Sequence, residues 1–86
     1  MSKTDKLLSR FLSKPKDFTY EELKKLLTSF GYKEEKTGKT SGSRVTFYNR
    51  AIDDEIKLHR PHPSPVLRQY QLNDIEKRLK AKEVIK

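Results

Sequence analysis

The spacing of apolar positions along the chain changes period twice. Leu7, Leu8, Phe11 and Leu12 fall at i, i+1, i+4 and i+5, one stripe on a helix. Pro15 cannot continue that helix, so the spacing predicts it over 3–13. A helix so short and charged is marginal alone, and its stripe needs the body of the protein or a second chain to pack on. Tyr20, Leu23, Leu26, Leu27 and Phe30 repeat the helical spacing over 20–30. Thr19 and Glu22 form a capping box, in which each side chain meets a backbone N–H of the other residue. Phe18 and Leu23 stand at the two ends of a hydrophobic staple, and Gly31 suits the position after the last turn.

The period then shortens to two. Residues 32–37 predict a first strand whose run of charges, Lys33 to Lys36, suits a sheet edge. Val45 and Phe47 point one way while Arg44, Thr46 and Tyr48 point the other; Ile56 and Leu58 alternate in the same manner with Lys57 and His59. Two such runs joined by a short connector predict an antiparallel pair. A turn centred near 51–53 sets His59 opposite Thr46 or Arg44. Helical spacing returns in Leu72, Ile75 and Leu79, with Asn73, Asp74 and Glu76 early and Lys77, Arg78, Lys80 and Lys82 late. That charge order suits the helix dipole and predicts a helix over 71–82, preceded by a packed turn of Val66, Leu67 and Tyr70.

The order is therefore helix, helix, three strands, helix. We expect an α+β fold: an αβββα core with a three-stranded antiparallel sheet, helices on one face, and an extra N-terminal helix. Residues 1–17 form the N-terminal helical extension and 18–86 the domain. The outline matches the double-stranded-RNA-binding architecture.

Composition narrows the class. With 86 residues and 33% of them hydrophobic, the chain supports one small domain with a modest core. No cysteine is present, so disulfides and thiolate metal sites are excluded, and a cytoplasmic location is expected. No apolar run has the length of a membrane span. The formal net charge of +8 attracts polyanions, with nucleic acid the first partner to consider and a membrane surface the second; an acidic protein partner is equally consistent with charge alone.

The uncovered sheet face gathers Arg44, Thr46, Tyr48, Lys57 and His59. Histidine is the residue type that exchanges a proton near neutral pH, and arginine grips phosphate through paired hydrogen bonds. Lys39 sits in a small-residue loop, 38–42, whose spacing is not that of a phosphate-binding loop and which no helix follows. Asp53, Asp54 and Glu55 read as solvated turn residues, because three consecutive carboxylates at a turn diverge. His59 and His62 lack a third ligand, so neither a metal nor another cofactor is expected.

From Thr19 onward the chain resembles the HicA toxins of bacterial type II toxin–antitoxin systems. The matching pieces are Leu26-Leu27-x-x-Phe30-Gly31-Tyr32, Gly42-Ser43 before the second strand, His62-Pro63 after the third, and the step from His62 to Leu72. The resemblance implies an RNA-cleaving toxin, an mRNA endoribonuclease neutralised by a HicB-type antitoxin, with a histidine directly after the Gly-Ser pair. Here Arg44 occupies that position, and the loop before Gly42 is longer than the family spacing.

Arginine cannot be deprotonated in a protein, so Arg44 cannot be the base. Two readings follow. In one, His59 transfers the proton, with Arg44 as phosphate clamp and His62 as the other candidate catalytic group. In the other, the domain is a catalytically inactive module that binds RNA or its antitoxin. RNA would be held by Lys36, Lys39, Ser43, Arg44, Thr46, Tyr48, Lys57 and Arg60, Tyr48 stacking on a base or serving only as half-buried sheet surface. Single- and double-stranded targets both stay open, as does the oligomeric state. A DNA-binding role is disfavoured, because no helix-turn-helix pattern appears.

Overall fold

The computed structural model describes residues 3–35, 44–61 and 64–85. Its elements are α1 (Lys3–Leu12), α2 (Tyr20–Ser29), β1 (Lys33–Glu35), β2 (Arg44–Asn49), β3 (Asp54–His59) and α3 (Gln69–Ala81). The strands form an antiparallel sheet in the order β1-β2-β3. This is the α+β arrangement that the change of period predicts, N-terminal helix included. No helix among the described residues is long and apolar enough to cross a membrane.

Local code explains α2. The Thr19 hydroxyl accepts from Glu22 N–H at 3.2 Å and the Glu22 carboxylate accepts from Thr19 N–H at 3.0 Å, completing the capping box. At the other end Tyr32 N–H donates to Leu27 O and Gly31 N–H to Thr28 O, the paired bonds of a Schellman motif. The motif needs a left-handed residue at Gly31, which has φ +101°. A Cβ there would also lie 3.2 Å from the Asn49 amide nitrogen, so glycine serves both backbone and space.

One core unites the layers. Leu23, Leu26 and Leu27 of α2 and Leu72, Ile75 and Leu79 of α3 are buried with Val45, Phe47, Ile56 and Leu58 from the inner sheet face. The body of the same chain covers part of the α1 stripe: Phe11 is fully buried and meets Phe18 edge-on at 5.7 Å, Leu7 and Leu8 are partly buried, and Leu12 stays exposed. Arg10 of α1 bonds both Asp17 and Glu22, tying the helix to the start of α2. A further bridge pairs Thr19 with Val66; Tyr20 N–H donates to Pro65 O at 2.9 Å and Leu67 N–H to Phe18 O at 2.8 Å.

Four expectations need correction. Asp54 is not a solvated turn residue: it opens β3 on the inner face, 2% exposed, and accepts from the Tyr32 hydroxyl at 2.7 Å. Arg78 of α3 reaches its other oxygen at 3.3 Å. A carboxyl can be buried there because those two donors meet it. Glu55 likewise belongs to β3, on the uncovered face, where it pairs with Lys57 at 3.5 Å. Thr46 faces that side but is only 7% exposed, because it sits mid-sheet between Glu35 and Lys57, whose longer side chains flank it. Tyr70 does not pack into a turn. α3 begins at Gln69, ahead of the expected start, and Leu72, Ile75 and Leu79 take its inner stripe. That leaves Tyr70 on the solvent side, 61% exposed.

Candidate nucleic-acid interface

The register of the hairpin decides which side chains meet. β2 and β3 pair Arg44 with His59, Thr46 with Lys57 and Tyr48 with Glu55; β1 adds Lys33 opposite Tyr48 and Glu35 opposite Thr46. The uncovered face thus carries three cross-strand rows. The Thr46 and Tyr48 rows mix both signs of charge. The third, Arg44 with His59, lies at the end of the hairpin away from its turn, and both of its residues are exposed.

Other members of the expected set are placed differently. Tyr48 donates its hydroxyl to Asp53 at 2.6 Å, and that bond holds the phenol's pKa up. Its ring is half-buried between Lys33 and Glu55. Lys57 is exposed on the face, paired to Glu55. Arg60 is held by other partners: it bonds Glu34 at 3.4 Å and lies 5.1 Å above the ring of buried Tyr20. Glu34 shares the inner, helix-covered face with Phe47. Lys36, Lys39, Ser43 and His62 lie outside the described residues.

The structure adds residues that the sequence reading missed. Gln71 donates through Nε2 to the backbone carbonyl of His59 at 3.1 Å and accepts through Oε1 from Arg68 N–H at 3.0 Å. One amide therefore fastens the end of β3 to the cap of α3. It is half of a capping box; Arg68 supplies no acceptor to complete it. Gln69 in turn donates to Lys14 O at 3.0 Å. These ties frame a cleft of about 600 Å³ beside His59, lined by Lys16, Arg60, Arg68, Tyr70 and Gln71 over a floor that includes Leu67. A helix started at Gln69 would have exposed Gln71 as an N3 residue. Nothing in the sequence marks Lys16.

The family model for the HicA toxin of bacterial toxin–antitoxin systems matches residues 20–81. The chain belongs to the HicA toxin family. No curated protein and no solved structure matches it. The span matched by the HicA model opens at the first residue of α2 and closes at the last residue of α3, leaving α1 outside. As a toxin of a toxin–antitoxin pair, the chain has an antitoxin partner. The exposed Arg44–His59 row and the Gln71 tie both fall inside the HicA span.

Proposed function

We propose that this HicA-family toxin binds RNA and cleaves mRNA in the cytoplasm as a metal-independent endoribonuclease, and that a HicB-type antitoxin neutralises it. The observation that carries the reading is the cross-strand pairing of Arg44 with His59 on an exposed surface. A base and a phosphate clamp must act within one phosphodiester, and directly opposed residues of an antiparallel pair have side chains roughly 5 Å apart.

In this reading the His59 imidazole takes the proton of a ribose 2′-OH. The 2′-oxygen bonds to phosphorus as the bond to the 5′-oxygen breaks, giving a cyclic phosphate and a free 5′-hydroxyl. Arg44 donates to the non-bridging oxygens, where charge builds in the transition state. The leaving 5′-oxygen needs a proton in return, and His62 is the candidate donor. The Gln71 bond fixes the backbone that carries His59. Arg44, where the resemblance places the family histidine, can clamp but cannot move a proton. That substitution also supports a second reading, a module that binds RNA or antitoxin without cutting.

The deciding experiment is cleavage of single-stranded RNA in EDTA by wild type, Arg44→Ala, His59→Ala and His62→Ala. Loss of two to four orders of magnitude in His59→Ala is expected. RNA that is bound by wild type but never cut would establish the silent module instead.

A further inference from the structure

The cleft beside His59 is not part of the sheet face, and its lining has a distinct chemistry. Lys16, Arg60 and Arg68 line it, and no acidic residue does so among those described. Lys16 and Arg68 make no ion pair with any described residue. The first turn of α3 opens onto the same space, and it too contains no acidic residue. Helix N-termini carry partial positive charge and usually attract Asp or Glu, so this end adds to the field of the two free cations. Tyr70, 61% exposed, stands at the rim. On the sheet face, by contrast, Tyr48 is half-buried with its hydroxyl tied to Asp53.

We propose that this cleft is a nucleotide subsite for single-stranded RNA. Tyr70 stacks on a base next to the cleaved phosphodiester, while Lys16 and Arg68 hold a flanking phosphate. The inference rests on the RNA-cleaving reading above and specifies its substrate. Single strands are recognised by stacking unpaired bases on aromatic rings along a basic groove, whereas duplexes are read through shape, phosphates and 2′-hydroxyls. An exposed ring is of no use to a base already stacked in a duplex. The volume, about 600 Å³, lies within the range of small-molecule sites and suits one nucleotide with part of its neighbour. The Gln71 amide joins the cleft to His59, so a strand seated there is held in fixed relation to the catalytic row.

The test is fluorescence anisotropy with a labelled single-stranded oligoribonucleotide, 2′-O-methylated so that it cannot be cut, and a blunt RNA duplex of the same length. Cleavage of unmodified RNA is measured in parallel. Tyr70→Ala should weaken single-strand binding by about tenfold or more and leave duplex binding unchanged, and Tyr70→Phe should stay within about twofold of wild type. Arg68→Ala should reduce the slope of log affinity against log salt by about 0.7 on the single strand. Tyr70 is exposed, so its variants should keep the wild-type melting temperature.

If wild type binds and cuts RNA while Tyr70→Ala keeps full single-strand affinity, the subsite is overturned and the ribonuclease reading stands. If wild type neither binds nor cuts, both fall. A hexaglutamate peptide whose binding is lost in Arg68→Ala, with RNA binding intact, would overturn the subsite in favour of an acidic protein segment.

Discussion

The Tyr32 hydroxyl donates to the Asp54 carboxyl at 2.7 Å inside the core, joining a residue two positions past the α2 C-cap to the first residue of β3. Arg78 of α3 bonds the other oxygen, so one buried carboxyl links the sheet to both of its covering helices. Tyr32→Phe keeps the ring and removes the donor. It should cost about 1–3 kcal/mol, the range for leaving a buried polar group short of a partner, read as a lower urea midpoint at unchanged m-value. A loss below about 0.5 kcal/mol would mean that Arg78 alone satisfies the carboxyl.

Alkaline pH should unfold the protein through two tyrosines. Burial pushes the Tyr20 phenol up to about 12, with Arg60 opposing the rise. Burial, and then the Asp54 bond, raise Tyr32 further still. Above the unfolded value of 10.0 the folded chain therefore holds protons that the unfolded chain has lost. The stability due to these groups is complete below that pH and declines as pH rises through the folded values. The urea midpoint of wild type should fall between pH 10 and 12, and that of Tyr20→Phe should fall less steeply. Equal slopes would show that Tyr20 does not control the transition.

Glu22 serves the α2 cap and Arg10 at once, and the two roles separate by substitution. Thr19→Ala should cost about 1 kcal/mol by removing the cap acceptor. Glu22→Gln retains an acceptor for Thr19 N–H but gives up the charge facing Arg10. The Arg10 bond holds the Glu22 carboxyl below its ordinary value of 4.5, against the opposing effect of burial. Its stabilising share is present above that pH and lost on acidification through the lower folded value. Wild type and Glu22→Gln should therefore converge in melting temperature as pH falls below 4.5. A gap that persists in strong acid would assign the effect to packing.

If the chain cleaves RNA as proposed, Gln71→Ala should slow cleavage about tenfold more than it weakens RNA affinity, since small displacements of a catalytic group can cost up to about 100-fold. Single-turnover rates measured beside anisotropy separate the two effects. Parallel losses in both would identify Gln71 as an RNA contact rather than a positioning residue.

The elements of this fold were legible wherever their causes are local. The capping box, Gly31 and the strand alternation each act within a few residues, so α2 and the β2–β3 hairpin follow from spacing. The pairing of Arg44 with His59 was narrowed to two registers by the connector alone. In the sequence Asp54 looks like turn charge beside Asp53 and Glu55, because its donors, Tyr32 and Arg78, arrive from other elements. The cleft escaped for the same reason. Lys16, His59 and Tyr70 come from three separate segments, and only the docking of α3 brings them together.

The bridge between Thr19 and Val66 bears on the order in which the cleft beside His59 is assembled. The segment leading into α3 is anchored to backbone laid down before the sheet, and Gln71 can brace His59 only once that segment has docked. Such a contact between segments far apart in sequence forms only when the intervening loop closes. A nascent chain stalled before α3 should carry Arg44 and His59 but no finished cleft.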